Sequence, residues 1–154
     1  MNSIPTRWTH DNERGAVLIE FALVLPLLLV IFAGMFDLGL AFQRYQAVTN
    51  AAREGARMAV LPGYSTAVGG DVDRRVEAYL AASGVPASKI RVRHPIPITI
   101  TPVGGGAVFT AMNVHVEVDY TFTLLGPIAT LVGGTFGMVT LTAESVMRVE
   151  ISGG

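Results

Sequence analysis

The sequence predicts an α+β fold: one long N-terminal helix, with a membrane half and an amphipathic half, packed on a small antiparallel sheet of about three strands, with one extra short helix. Three observations carry this expectation. From Ala16 to Phe36 the chain reads AVLIEFALVLPLLLVIFAGMF, 21 residues with a single charge. Apolar side chains then recur at three- and four-residue steps as far as Leu61, the signature of a helix with one greasy face. Beyond residue 90, apolar and polar residues alternate in three segments, the signature of half-buried strands. Composition agrees with a membrane protein, because 51% of the 154 residues are hydrophobic and 15% charged, against about 25% charged in ordinary soluble domains. Mean hydropathy is +0.49.

The apolar block predicts a transmembrane helix over 16–36. As a helix it is about 31 Å long, the thickness of a bilayer core. A domain of this size has no interior able to cover such a helix on every side. An ordinary secretory signal fits poorly, because the block is longer than the roughly 7–15 apolar residues of such signals and Glu20 sits near its start. Residues 1–15 read as a cytoplasmic leader. Arg7 and Arg14 precede the block, and Arg44 is the first base after it, which favours a cytoplasmic N-terminus and an extracytoplasmic remainder. An ionised Glu20 at mid-bilayer costs about 2.5–3.5 kcal/mol, so a partner is expected for it. Pro26 is read as a local distortion of the helix.

Residues 37–61 read as the amphipathic extension of the same helix, stopped by Pro62-Gly63. Asp37 falls where the helix leaves the hydrocarbon and is read as an interfacial carboxylate with no special role. Ala51, Ala52, Gly55, Ala56 and Ala59 allow close approach of another surface, and a sheet of the same chain is expected there in preference to a helix of another subunit. Gly55 inside a helix costs about 1 kcal/mol relative to alanine, which a contact must offset. Arg53, Glu54 and Arg57 are read as surface charge.

Residues 62–154 form the expected extracytoplasmic α+β domain. Asp71 offers a helix N-cap, followed by an apolar stripe of Val72, Val76, Tyr79 and Leu80 that ends at Ser83-Gly84-Val85-Pro86. Ile90, Val92, His94, Ile96, Ile98 and Ile100 are expected on one strand face, with Arg91, Arg93, Thr99 and Thr101 on the other. Pro95 and Pro97 cannot donate to a ladder, which makes this an edge strand. Gly104-Gly105-Gly106 turns the chain. Val114, Val116, Val118, Tyr120, Phe122 and Leu124 alternate with polar residues in the clearest strand. The stretch from Gly126 to Gly137 is read as an apolar loop carrying Pro127, Ile128, Ala129, Leu131, Val132 and Phe136; it tucks under the sheet or meets a partner or the membrane surface. A last strand runs from Met138 to about Ile151.

No catalytic constellation emerges. A net charge of −1 without charge runs argues against nucleic acid. The absence of cysteine excludes disulfides and thiolate chemistry. His10, His94 and His115 lie in different elements, so no metal site is expected. Glu117 and Asp119 share a strand face about 7 Å apart but lack a pocket signature, and are read as solvated. The glycine triplet opens no helix and carries no Lys-Ser/Thr, and Ser145 has no nucleophile elbow around it. No cofactor, no small-molecule substrate and no enzymatic activity are expected.

The run Arg14-Gly15-Ala16-Val17-Leu18-Ile19-Glu20-Phe21 resembles the processing site of type IVb prepilins and pseudopilins, with glycine before the cut and an acid followed by an aromatic after it. The wider stretch Arg14 to Pro62, with Glu20-Phe21-Ala22-Leu23-Val24-Leu25-Pro26 and Thr49-Asn50-Ala51-Ala52-Arg53-Glu54-Gly55-Ala56-Arg57, resembles TadE-like proteins, minor pseudopilins of the Tad (tight adherence, or Flp) pilus system. The resemblance implies a pilin-like plan and a processing site of Gly15, Ala16, Glu20 and Phe21, cut after Gly15 by a prepilin peptidase. The implied partners are that peptidase, other pilins or pseudopilins and Tad inner-membrane components. The implied place is the bacterial inner membrane or the pilus itself. The amine freed on Ala16 lies one helical turn before Glu20, so the acid is expected to neutralise it, either within the chain or on a neighbouring subunit. The competing expectation is a membrane-anchored periplasmic interaction module that never enters a filament.

Overall fold

The computed structural model describes residues 10–131, 133, 134 and 137–149. Leader residues 1–9 with Arg7, Val132 and Phe136 of the apolar segment, and Ile151 lie outside the described residues.

One helix, α1 (His10–Ala59), runs unbroken for 50 residues with Pro26 inside it, about 75 Å end to end. A second helix, α2 (Asp71–Ala82), and a 3-10 turn at Ala87–Lys89 lead into β1 (Ile90–Ile100), β2 (Phe109–Thr121), α3 (Leu125–Leu131) and β3 (Met138–Arg148). The strands form an antiparallel meander in the order β1-β2-β3, so β1 is an edge strand, where its prolines are tolerated. The architecture is the expected α+β one. One face of the sheet is covered by helices, with α1 crossing β2 and β3 and α2 packing on β1.

The core lies between these layers. Val48, Ala51, Ala52 and Ala56 of α1, Val72, Val76 and Leu80 of α2, and Val114 and Val116 of β2 are fully buried. The alternation of β2 puts Val114, Val116 and Val118 inward and His115, Glu117 and Asp119 outward. Tyr79, at the margin of the α2 stripe, stays partly exposed.

Three expectations change. The six β1 residues expected on one face, five of them apolar, do not share it. The ladder pairs Arg93 with His115 but Ile96 with Asn113, so one extra residue is accommodated and every later side chain changes sides. Ile90 and Val92 therefore pack against the core, whereas Ile96 pairs on the outer face and is half exposed.

Asp71 is the first residue of α2, not its cap; Gly70 holds the cap position without a side-chain bond. The Asp71 carboxylate instead accepts the Ser65 amide at 3.0 Å and holds Arg74 at 2.7 Å. That amide, more than Arg74, keeps the carboxyl below the usual range. A Cβ on Gly70 would stand 2.6 Å from the Ser65 carbonyl oxygen, so the tight turn requires glycine.

The apolar 126–137 segment is not all loop, since its first half is α3. Gly126 and Pro127 look like helix breakers, but both fall in the first turn, where a proline withholds only an N–H that has no intrahelical partner.

Candidate functional site

The functional surface is α1 and the places where the domain grips it. From Val17 to Phe36 every large apolar side chain stands exposed. The stretch is long and apolar enough to cross a membrane, and none of its most apolar window is buried by the rest of the chain. Glu20 is exposed on this surface, one helical turn beyond Ala16. Ala16 and Phe21 are exposed beside it, and Gly15, in the same helix, is half exposed. Among the described residues, a Cβ placed on Gly15 meets no atom within 4 Å, so these make no steric demand for glycine at 15.

At the opposite end of α1 the demand is strict. A Cβ on Gly55 would lie 2.6 Å from Val76 Cγ2 and 3.2 Å from Val114 Cγ1. The structure thus places Ala51, Ala52, Gly55 and Ala56 against α2 and the sheet of the same chain.

Between these ends, Asp37 has a role that sequence reading missed. It is fully buried. Its carboxylate accepts the backbone N–H groups of Thr123 at 3.2 Å, Leu124 at 2.9 Å and Leu125 at 2.7 Å. Leu125 opens α3 and the other two residues lead into it, so Asp37 holds the entry to α3 from another element, and its carboxylate suits the positive end of the helix.

Two turns further along α1, Arg44 donates from Nη1 to the carbonyl of Ser83 at the C-terminal end of α2. There Gly84 (φ +77°) and Val85 donate back to Ala81 and Leu80 at 2.9 and 3.0 Å, closing a Schellman turn. A cation at a helix C-terminus is favourable for the same dipolar reason. α1 thus holds α3 by an acid and α2 by a base, each at the helix end of complementary sign.

The outer face of the sheet carries a charged network. Arg91 donates from both terminal nitrogens to Asp119 at 2.7 Å and from Nε to Glu117 at 3.2 Å. His115 Nε2 lies 3.0 Å from Glu117, and Thr140 donates to Asp119 at 2.9 Å. Asp119 is held below the usual carboxylate range chiefly by Arg91, and Glu117 chiefly by His115 and then Arg91. These acids are committed to cross-strand pairing. Among the described residues no group of three His, Asp or Glu side chains is arranged to hold a metal ion.

Residues 15–57 match the family model described as TadE-like protein. Over this stretch the chain is similar to TadE-like proteins. The match lies wholly within α1, starting at Gly15 and ending just short of its C-terminus. It contains Glu20, Asp37, Arg44 and Gly55, and none of the sheet. It supports a pilus-associated protein of the Tad system, and the apolar half of α1 suggests single-pass membrane anchoring. No curated protein matches the chain, and no solved structure does.

Proposed function

We propose that this TadE-like chain is a minor pseudopilin-like structural subunit, without catalytic activity, that serves the assembly or function of a Tad-type pilus in adhesion or secretion. In this reading the leader is cytoplasmic, the span crosses the inner membrane, and the domain beyond residue 61 lies outside. A prepilin peptidase cuts between Gly15 and Ala16, and the subunit then joins other pilins and Tad inner-membrane components. The observation that carries the reading is the acid Glu20, exposed on an apolar helix surface one turn past the proposed new N-terminus. A lone ammonium and a lone carboxylate are each costly beside lipid, and pairing them removes both penalties. Gly15 adds support: glycine inside a helix costs about 1 kcal/mol, and no neighbour among the described residues requires it there. Recognition by a peptidase supplies a reason for keeping it.

Mass spectrometry of the mature protein tests the cleavage, with Ala16 expected at the N-terminus. Gly15→Leu is expected to leave the leader attached without altering the fold of the domain; normal maturation of this variant would refute the cleavage. Glu20→Ala is expected to insert into the membrane yet lower pilus output, and unchanged output in a strain carrying only this variant counts against the pairing. Immunogold labelling of sheared pili and membrane fractions separates a filament subunit from an anchored scaffold.

A further inference from the structure

α3 lies beyond the end of the sheet, on the side where α1 becomes apolar. Two independent rulers agree on this placement. Along α1, Gly55 and Asp37 are about 27 Å apart. Along β2 and its continuation, Val114 and Thr123 are about 30 Å apart. Val114 meets Gly55, and Thr123 meets Asp37. β2 therefore runs back along α1 toward the span, and the chain passes the last strand pair, Thr121 with Met138, before forming α3. It returns to the same level, where Phe122 donates to the Gly137 carbonyl at 2.9 Å. A Cβ on Gly34, inside the span, would lie 4.0 Å from Leu125 Cδ1. α3 thus starts level with the last turns of the membrane helix.

We infer that α3 is a second, interfacial membrane contact, resting its outer side on the lipid beside the span. Leu131 is 86% exposed, Leu124 before α3 and Met138 and Val139 at the start of β3 are exposed as well, and so are Phe36 and Leu38 on either side of Asp37 in α1. Between Asp119 and Glu144 the chain has no charged residue.

Several polar groups of the described part of this segment are paired within the chain, which lowers the cost of a lipid contact. Asp37 takes the amides of Thr123, Leu124 and Leu125, and Pro127 has no N–H to satisfy. The Thr130 hydroxyl donates to the Pro127 carbonyl at 2.7 Å. At the C-terminal end, Gly134 donates to Ala129 at 2.7 Å and Gly133 to Thr130 at 3.2 Å. Lipid is the committed occupant because the patch is uncharged and α3 begins against the apolar end of α1, at Gly34 and Asp37. The contact sets the tilt and rotation of the domain on the bilayer.

The inference rests on α1 being in the bilayer, and the test separates the two. The chain has no cysteine, so Leu131→Cys, Val103→Cys and Leu27→Cys each give one labelling site in the full-length protein. Each is labelled with the same environment-sensitive fluorophore and reconstituted in phosphatidylcholine vesicles with and without brominated acyl chains. The label at Leu27→Cys, in the span, reports insertion; the label at Val103→Cys, on the hairpin distant from α3, reports the probe's own affinity for lipid. The expected result is blue-shifted emission and quenching by brominated lipid at Leu131→Cys, as at Leu27→Cys, and neither at Val103→Cys. Quenching at Leu27→Cys with a water-exposed label at Leu131→Cys overturns the inference while leaving the span intact. A shielded but unquenched label at Leu131→Cys overturns it in favour of a protein occupant, such as a second copy. Quenching at none of the three overturns the membrane reading itself.

Discussion

Between Val17 and Phe36 every large apolar side chain of α1 is at least 39% exposed, whereas Val48, Ala51, Ala52 and Ala56, further along the same helix, are completely buried. The backbone is the same; the surroundings are not. The first half presents Leu, Val, Ile and Phe all round, as a helix suited to a hydrocarbon surrounding does. The second half presents small side chains on one face, which let α2 and β2 approach to the contact distances seen at Gly55. Side-chain size, more than hydrophobicity, separates a helix made to lie in lipid from one made to lie on a sheet. Asp37 stands between the halves and ties the domain to the helix where the surroundings change.

The largest expected effect comes from cutting that tie. Asp37→Ala leaves three amides without their acceptor and should cost at least about 3 kcal/mol, given about 1–3 kcal/mol for each buried donor left unpaired. Denaturant unfolding of the full chain in detergent measures the loss. Hydrogen exchange at Thr123, Leu124 and Leu125 should accelerate while the core amides of β2 stay protected. Unchanged exchange at those amides means that the cap carries no weight.

Two glycines of α1 sharpen the comparison because the same substitution should act in opposite directions. Gly55→Ala gains about 1 kcal/mol of helix propensity but drives a methyl group to 2.6 Å from Val76 Cγ2, and overpacking costs typically about 1–3 kcal/mol. A net loss of stability is expected. Gly39 has no atom within 4 Å of a built Cβ, so Gly39→Ala should stabilise by up to about 1 kcal/mol. Parallel thermal or denaturant unfolding of the two variants gives the signs directly; equal signs would dissolve the distinction between a packed and an open face.

The smallest effect is expected on the outer face of the sheet. Asp119 and Glu117 are held below their ordinary range, so their contribution is fully present above about pH 4, the unfolded value, and fades as pH falls through the lowered folded-state values. Arg91→Ala should remove most of the Asp119 part of this acid-sensitive increment and less of the Glu117 part, and added salt should weaken it in the parent, because the network is exposed and screened. Unfolding midpoints between pH 2 and 7 test this, and an identical pH profile for parent and variant would show that the network contributes nothing.

Residue spacing and polarity alone determined the long helix, its greasy and amphipathic halves, the short α2, the three strands and the edge position of β1. Each is a local periodicity, readable in a window of ten to twenty residues because it reflects which side of one element must leave water. The glycine and small-residue face of α1 was legible for the same reason, as was Glu20, whose oddity is simply a charge in an apolar run. Tertiary structure decided the rest. The bulge that turns Ile96 outward depends on pairing with β2, which β1 by itself does not disclose. α3 depends on a cap that arrives from Asp37, 86 to 88 residues away in sequence, and Arg44 finds its carbonyl 39 residues on. An acid at the edge of a span looks like any interfacial charge until the fold brings three unpaired amides to it. Long-range hydrogen bonds leave no period in the sequence, because either partner alone is an ordinary residue.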